Sequence, residues 1–345
     1  MAGKDEMIFE VEGGNVRLTH PNKLMFPRQG WTKADLARHY LACAEGALRG
    51  VEGRPTVLKR WPRGAEAEPF FQKRAPKPGR SAKTADGGQA REPAREFATI
   101  RFPSGRSADL LVPRHEADLL WMVQLNCIDF NPWPVRVTDL DRPDELRVDL
   151  DPSEGVGFAE VRETALACRE VLAERGLVAW PKTSGSRGIH LLVRIEPAWE
   201  FPEVRRAALA LAREVERKHP GLATSAWWKE ERHGVFVDYN QNARDRTVAS
   251  AYSVRQTGLV SAPLRWEEVP AVEPADFPMQ GFAERYADVG DLTEGMNQAA
   301  GRLDGLLELY EEQAQSGKED APWPPHFPKQ PGEPPRVQPS KRRKR

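Results

Sequence analysis

The side chains best suited to chemistry are three aspartates in two apolar segments. Asp149 and Asp151 stand two residues apart in LRVDLDP (146–152), and Asp238 ends the apolar run of GVFVDYN (234–240). Both segments are typical of strands, in which residues two apart share a face, so Asp149 and Asp151 should lie roughly 6–7 Å apart. Like charges on one face repel unless a cation lies between them. The pattern predicts a divalent-metal site, where three carboxylates could hold two ions about 3.5–4 Å apart.

A second DLD tripeptide, containing Asp139 and Asp141, is interpreted differently. It runs directly into Arg142 and Pro143, and aspartates in such a setting bond to the nearby backbone of a turn. We therefore predict a turn there and no metal site.

A polar, glycine-rich turn, TSGSRGIH (183–190), lies between the two aspartate segments. Its glycines allow backbone N–H groups to face an anion, and its polar side chains could add hydrogen bonds and charge to a triphosphate. Those side chains are Ser184, Ser186, Arg187 and His190. A plain hairpin with a surface or core histidine is the alternative; the aspartate strands on both sides favour phosphate binding.

Three further groups are weaker candidates for nucleotide or nucleic-acid contacts. Arg255 follows the third aspartate by seventeen residues and could return to the same pocket. Phe70 and Phe71 could stack on bases, although adjacent aromatics in a strand are more often one core and one edge residue. Lys23 and Lys33 lie on either side of FPRQGW and could clamp a terminal phosphate, or they could be ordinary surface lysines.

Apolar periodicity places these groups on a β-α-β-β-α-β framework. After the strand at 146–152 we predict a helix at 158–176, a strand–turn–strand at 178–195, a helix at 202–221 and a strand at 234–240. This order is typical of ferredoxin-like folds and of RNA-recognition folds. The predicted class is therefore α/β.

The remaining segments suggest three parts. A helix capped by Thr32 is predicted over 32–50, a mobile loop over 76–95, and a disordered, Pro-rich basic tail from about residue 320. We divide the chain into an N-terminal α/β module with DNA contacts (1–115), a catalytic module (116–300) and a C-terminal helix with the tail (301–345).

Composition limits the class of protein. Fifty-one Lys and Arg balance 51 Asp and Glu, but the front and tail are basic and the middle acidic, which suits an enzyme that grips phosphates and metal in different places. Three scattered cysteines disfavour a disulfide framework and a zinc site. No apolar run approaches the roughly 18 residues that cross a bilayer, and no leader is seen, so we expect an intracellular protein without a membrane.

Together these segments resemble the polymerase domain of the bacterial DNA ligase D family, within the archaeo-eukaryotic primase superfamily. The resemblance covers roughly residues 14–290 and rests on collinear motifs: LTHPNKLMFP, PFFQKRAP, NPWPVR, RVDLDP, KTSGSRGIHLL, VFVDYNQN and AYSVR. It implies an archaeo-eukaryotic primase-polymerase fold, with an N-terminal α/β module and a ferredoxin- or RRM-like catalytic module.

The resemblance also implies a role for each candidate residue. The catalytic metal ligands, for two Mn²⁺ or Mg²⁺ ions with manganese favoured, would be Asp149, Asp151 and Asp238. The incoming nucleotide would be bound by Lys59, Ser184, Ser186, Arg187, His190 and Arg255. DNA would be bound by His20, Lys23, Lys33, Phe70 and Phe71, with the phenylalanines on the template and the lysines on a 5′-phosphate.

The implied activity is template-dependent addition of nucleotides at DNA gaps and broken ends. NTPs would be preferred to dNTPs as substrates. The implied partners are DNA with a 5′-phosphate, nucleoside triphosphates, Ku and a separate DNA ligase. We expect a monomer in the cytoplasm, at the bacterial nucleoid. KTADG (83–87) is one residue too long for the KxDG motif of a ligase and no P-loop is present, which favours a stand-alone form.

Two residues depart from the family pattern. Asn131 stands where many relatives have a histidine that contacts the triphosphate, and His20 stands where many have asparagine. Two other functions are compatible with the residues alone: a non-catalytic nucleic-acid-binding module, and a metal-dependent nuclease that uses the same carboxylates.

Overall fold

The computed structural model describes residues 5–72, 74, 82–83, 89–90, 95–102, 105–318, 320–324, 327–329, 333–334 and 336. The loop predicted over 76–95 falls largely outside the described residues, as does the end of the basic tail. The prediction that the chain is disordered from about residue 320 is wrong for the first residues of that segment, because Ala321 and Trp323 are buried against the rest of the protein. Within the described residues, no helix has both the length and the apolar character needed to cross a membrane.

The strands are, in chain order, β1 (Glu6–Val11), β2 (Gly14–Thr19), β3 (Leu24–Phe26), β4 (Trp31–Thr32), β5 (Thr56–Arg60), β6 (Phe70–Gln72), β7 (Ala82–Lys83), β8 (Gln89–Ala90), β9 (Glu96–Arg101), β10 (Ser107–Val112), β11 (Asn131–Pro132), β12 (Glu145–Pro152), β13 (Ala179–Thr183), β14 (Ile189–Arg194), β15 (Ala223–Thr224) and β16 (Val235–Asp238). The α-helices are α1 (Lys33–Ala42), α2 (Ala44–Arg49), α3 (Glu116–Gln124), α4 (Phe158–Glu174), α5 (Phe201–Lys218), α6 (Phe282–Val289) and α7 (Asp304–Gln315).

The N-terminal module is built on a sheet of order β11-β5-β10-β9, in which β6 also pairs with β5. The predicted cap of α1 is confirmed: the Thr32 hydroxyl accepts a hydrogen bond from the Asp35 N–H at 3.2 Å, and the Asp35 carboxylate accepts one from the Thr32 N–H at 2.8 Å. The single helix predicted over 32–50 is wrong, because the chain leaves helical geometry at Cys43 (φ −120°) and α2 starts anew.

The segment predicted to be the catalytic module has the expected β-α-β-β-α-β order, as β12-α4-β13-β14-α5-β16. Its sheet order is β13-β14-β12-β16-β15, and each of the first four strands is antiparallel to its neighbours among them. This is the ferredoxin-like arrangement, with the two-residue β15 added in parallel at the edge.

The central strand β12 has two chemically different faces. Leu146, Val148 and Leu150 are buried in the main hydrophobic core, which also contains residues of α4 and α5. The alternate residues, from Glu145 to Asp151, are charged. Since side chains alternate across a strand, burial of the leucines and valine directs the charged set to the opposite face.

The charged face begins with a buried ion-pair network. Arg147 Nε donates to Glu145 Oε1 at 2.7 Å, and Arg194 donates to the other oxygen of the same carboxylate. Beside them, Arg54 pairs with Asp144 at 2.6 Å. Burial alone would raise the pKa of Glu145, but Arg194 and Arg147 hold it well below its usual value. The carboxylate therefore stays charged and offsets part of the charge of the two arginines.

The boundary predicted at residue 115 stays a prediction. β11, which follows that position, pairs with β5, which precedes it. The main core also runs without interruption from α1 and α3 to α4 and α5. The two modules therefore share one core, and the site between them is built on a continuous support.

Replacing Glu145 with glutamine should destabilise the protein. Two arginines would be left without their anion in a buried place, which costs about 3–5 kcal/mol. The group's pKa is lowered in the fold, so its contribution is full above the usual value of 4.5 and is lost as the pH falls below it. Urea unfolding at pH 7 measures the effect, with Glu308→Gln on the exposed face of α7 as the control; equal midpoints for the two variants would contradict this role.

Candidate active site

The three aspartates singled out in the sequence lie together. The register of β12 with β16 places Asp149 directly opposite Asp238, and Asp151 opposite Phe236. One carboxylate oxygen from each aspartate lies within 4.8 Å of the others. Two antiparallel strands thus bring residues 89 positions apart in the chain (149 and 238) into one acidic cluster.

This cluster is electrostatically strained. Burial raises the pKa of Asp149 to about 6. Burial, and then the charge of Asp149, raise the pKa of Asp151 to about 6 and that of Asp238 to about 7. Proximity of like charges in a partly buried site favours either a bound proton or a bound cation.

The donor set fits a hard divalent cation. It consists of carboxylate oxygens, which Mg²⁺ and Mn²⁺ prefer, and no described cysteine approaches it. Gln241 holds the group in place, because its Nε2 donates to Asp149 Oδ2 at 3.0 Å and to Asp238 Oδ2 at 3.3 Å. Sequence reasoning missed Gln241, although its position three residues after Asp238 was a usable signal.

His190 lies opposite Asp149 on the other side of β12. Its Nε2 is 3.2 Å from Asp149 Oδ1, while its Nδ1 is 2.7 Å from Lys182 Nζ. Lys182 also donates to Ser261 Oγ at 2.6 Å. Because an ionised carboxylate can only accept, Nε2–H donates to Asp149, which leaves Nδ1 as the acceptor for Lys182. Burial, and then the charge of Lys182, keep the pKa of His190 well below its usual value, so the imidazole is neutral.

The predicted phosphate turn joins β13 to β14. The Ser184 hydroxyl accepts hydrogen bonds from the Ser186 N–H at 3.2 Å and the Gly188 N–H at 3.0 Å, so this serine shapes the turn. Gly185 has φ +68°, and a Cβ there would lie 2.4 Å from Arg255 Cγ. Only glycine fits that position. Ser186 and Arg187 are exposed and point away from the core.

Arg255 does return to this turn, as its Nη1 donates to the Ser184 carbonyl at 3.3 Å. A buried anion that sequence reasoning missed, Asp129, organises the cations around it. Asp129 Oδ2 lies 3.6 Å from Arg255 Nε and 3.5 Å from Lys59 Nζ, and Oδ1 accepts from Asn131 Nδ2 at 2.9 Å. Lys59 and Asn131 are thereby tied to the same wall as Arg255.

A polar cavity of about 260 Å³ opens onto the carboxylates. It brings together most of the predicted metal and nucleotide residues, and its lining includes Asn131, Asp149, Asp151, Ser184, Ser186, Arg187, His190, Gln241 and Arg255. Asp238 lies behind them in the acidic cluster, and Lys59 adjoins through Asp129. A larger cavity of about 400 Å³, beside Trp227 and Trp228, contains none of these residues.

The two lysines predicted to bind a 5′-phosphate, Lys23 and Lys33, are partly or fully buried. Lys23 Nζ donates to the Pro62 carbonyl at 2.6 Å and to Asn126 Oδ1 at 2.8 Å. Lys33 is 2% exposed and donates to the carbonyls of Thr19 and Gln124, and burial lowers its pKa to about 8. The interpretation of Lys33 as a surface lysine is therefore wrong.

His20 and the phenylalanine pair are at the surface. His20 is exposed and has φ +54°, a left-handed conformation that asparagine adopts more readily than histidine. Phe70 and Phe71 are 45% and 55% exposed, so neither is a core residue. The Arg60 guanidinium lies 5.1 Å from the centre of the Phe70 ring. Burial, and then the nearby charge of Arg60, lower the pKa of Lys23. Arg60 therefore lies close to both Lys23 and Phe70, and these cations and aromatic rings form one surface.

The family described as "LigD, primase-polymerase domain" matches residues 32–293. The chain belongs to this family. The primase-polymerase fold class expected from the motifs is thereby confirmed, together with the resemblance itself.

LigD proteins are similar to this chain over most of its length. The multifunctional non-homologous end joining protein LigD of Mycolicibacterium smegmatis is 32% identical over 319 residues, which cover 91% of this chain and 40% of that protein. The corresponding protein of Pseudomonas aeruginosa is 33% identical over 264 residues, covering 76% and 30%. The chain thus spans less than half the length of these relatives.

A solved structure supports the same assignment. The polymerase domain of Mycobacterium tuberculosis ligase D, in complex with DNA, matches with a TM-score of 0.72 and 31% identity. The match covers 83% of this chain and 99% of that one.

Replacing Asp238 with asparagine should stabilise the metal-free protein at pH 8. A carboxyl whose pKa is raised in the fold binds its proton more tightly folded than unfolded, so stability declines as the pH rises through about 7. We expect a melting temperature about 2–4 °C higher, equivalent to about 1 kcal/mol, and a flatter dependence between pH 5 and 8.

Added Mn²⁺ tests the same interpretation from the other side. It should raise the melting temperature of the wild type and leave Asp238→Asn unchanged, because a metal stabilises only the fold that binds it. Equal stabilisation of both proteins by Mn²⁺ would show that the ion binds elsewhere.

Proposed function

We propose that this chain is a template-dependent nucleotidyltransferase that adds nucleotides at DNA gaps and broken ends. The observation that carries the proposal is the cluster of Asp149, Asp151 and Asp238, which opens into a polar cavity lined by Arg187 and Arg255. Negative ligands for metal and positive ligands for phosphate thus adjoin. Membership of the primase-polymerase family supports the same reaction class.

In this proposal the three carboxylates hold two divalent ions, Mn²⁺ or Mg²⁺ with manganese favoured. Such ions, when bound, activate an attacking hydroxyl and offset charge on a leaving phosphate. The protein's own groups position them: Gln241 fixes the Asp149 and Asp238 carboxylates relative to each other, and neutral His190 donates to Asp149. The attack is by a primer 3′-hydroxyl on the α-phosphate of the incoming nucleotide, in line with departure of pyrophosphate.

The incoming triphosphate would lie against the turn between β13 and β14. Ser186 and Arg187 are exposed there, and Arg255 closes one side. Ser184 acts mainly by holding the turn, since its hydroxyl already accepts two backbone hydrogen bonds. Lys59 would lie near the sugar, and ribonucleotides would be preferred to deoxynucleotides.

On the DNA side, His20 and Lys23 would bind the 5′-phosphate across a gap, with Lys33 holding the surrounding backbone from within. Phe70 and Phe71 would stack on the template, which is favourable because exposed aromatic rings bind bases regardless of sequence. The enzyme would act as a monomer in the cytoplasm on nucleoid DNA, in end joining or short-gap repair, with Ku and a separate DNA ligase as partners.

Two other functions would account for only some of these features. A purely structural nucleic-acid-binding module gives no reason for three like charges within 4.8 Å. A nuclease would need the carboxylates but no triphosphate cradle, whereas the cavity contains Ser186, Arg187 and Arg255. Release of nucleotides from labelled DNA, in place of incorporation, would identify a nuclease.

Replacing Asp149 with alanine should reduce nucleotide incorporation into a gapped duplex by more than about 100-fold. Metal ions contribute several kcal/mol to such a transition state, and each 1.4 kcal/mol is about tenfold in rate. Primer extension with Mn²⁺ or Mg²⁺, using NTPs and dNTPs in parallel, measures activity and nucleotide preference together.

The chain offers a matched control in its other DLD tripeptide. There Asp139 Oδ1 accepts from the Asp141 N–H at 3.0 Å, as a turn requires, and Asp141 pairs with Arg244 on the surface. Asp141→Ala should therefore extend the primer like the wild type. Normal extension by Asp149→Ala would refute the proposed reaction.

Replacing Lys23 with alanine should remove the preference for a 5′-phosphate at the gap. A hydrogen bond to a charged group contributes about 1.5–3 kcal/mol, so the affinity ratio between phosphorylated and unphosphorylated gaps should fall roughly tenfold or more. Fluorescence anisotropy measures both affinities. Lys218→Ala is the control, because Lys218, the last residue of α5, pairs with Glu174, the last residue of α4. An unchanged ratio in Lys23→Ala would place the phosphate elsewhere.

A further inference from the structure

A buried arginine connects the acidic cluster to the segment after α7. Arg205, in α5, is 0% exposed. Its Nε donates to Asn240 Oδ1 at 2.7 Å, its Nη1 pairs with Asp320 at 3.0 Å, and its Nη2 donates to the carbonyls of Ala321 and Pro322 at 2.8 and 3.0 Å. A fully buried guanidinium is stable only with such complete pairing. Arg205 therefore needs the C-terminal segment.

The same arginine acts on the turn that carries the third aspartate. Asp238 Oδ1 accepts from the Asn240 N–H at 2.9 Å, while the Asn240 side chain accepts from Arg205. Asn240 thus contacts Asp238 with its backbone and Arg205 with its side chain. Displacement of Arg205 would move the residue that orients the Asp238 carboxylate.

Aromatic packing makes the contact rigid. The Arg205 guanidinium lies 4.2 Å from the Trp323 ring centre and 5.1 Å from that of Tyr239, the residue after Asp238. Trp323 is 2% exposed and also packs with Ala243, just beyond the turn. Its indole Nε1 donates to Asp320 Oδ2 at 3.2 Å. The segment therefore packs beside the end of the Tyr239–Asn242 turn through Trp323, and it reaches the start of the turn only through Arg205.

We propose that residues 320–323 and Arg205 form a positioning clamp that sets the Asp238 carboxylate for metal binding. The clamp rests on the proposed function of the acidic cluster. Its C-terminal half lies beyond residues 32–293, the part of the chain that the primase-polymerase family matches.

The test compares Mn²⁺ binding by full-length variants without nucleotide or DNA. Electron paramagnetic resonance of free Mn²⁺ gives the dissociation constant, and thermal unfolding checks the fold. Loss of a direct outer partner of a metal ligand weakens metal binding about tenfold or more. Asp320 and Trp323 act on Asp238 through Arg205 and Asn240, so Asp320→Ala and Trp323→Ala should each raise the dissociation constant by up to about tenfold. Asp320→Asn, which keeps an acceptor for Arg205, should recover part of the loss.

The matched control is Gln313→Ala, which breaks a different contact of the C-terminal region with α5, the 3.1 Å hydrogen bond to the Ala210 carbonyl. It should bind Mn²⁺ like the wild type. Variants that melt earlier but bind Mn²⁺ normally would overturn the clamp and leave the proposed function standing. A wild type that binds no Mn²⁺ and adds no nucleotide would overturn the proposed function, and the clamp with it.

Discussion

The site depends on the register with which β12 pairs with its two neighbours. That register places Asp149 opposite His190 on one side and opposite Asp238 on the other. A slip by one residue would turn the aspartates toward α4 and α5 and bring Leu146 and Leu150 to the charged face. Burial of these leucines in the core therefore fixes the position of the acidic cluster, although the leucines lie on the opposite face of the strand.

Charge changes along this one face of β12. At its start, Glu145 is paired with Arg147 and Arg194, so the buried charges partly offset one another. Farther on, the nearest partners of Asp149 are the neutral His190 and Gln241. The same strand thus passes from paired buried ions, among which arginines outnumber carboxylates, to a cluster of three carboxylates at the cavity. The ion pairs at the start of the strand stabilise the junction of the two modules. At the aspartate cluster, a bound cation would reduce the repulsion among the carboxylates.

Alternation and turn chemistry were enough to predict the centre of the site. The spacing of Asp149 and Asp151 gave a shared face, and Gly185 marked a turn that only glycine can make. What the sequence does not encode locally was missed or misjudged. Asp129 acts through contacts with residues distant in the chain, and its neighbours give no sign of them. Lys33 looked exposed because its neighbours in the sequence say nothing about Thr19 and Gln124, which contact its ammonium from other elements.

The hydrogen bonds around Arg255 hold this wall of the cavity in place without a bound ligand. The segment that carries it is bonded to both modules: the Phe130 N–H donates to Ser253 Oγ, and Tyr40 Oη accepts from the Val254 N–H. Farther along, the Ala262 N–H donates to Thr183 Oγ1 at the end of β13. These bonds fix the backbone on both sides of Arg255, and Asp129 fixes the side chain. A cation held in this way loses little conformational entropy when it meets a phosphate, so more of its interaction energy remains for binding.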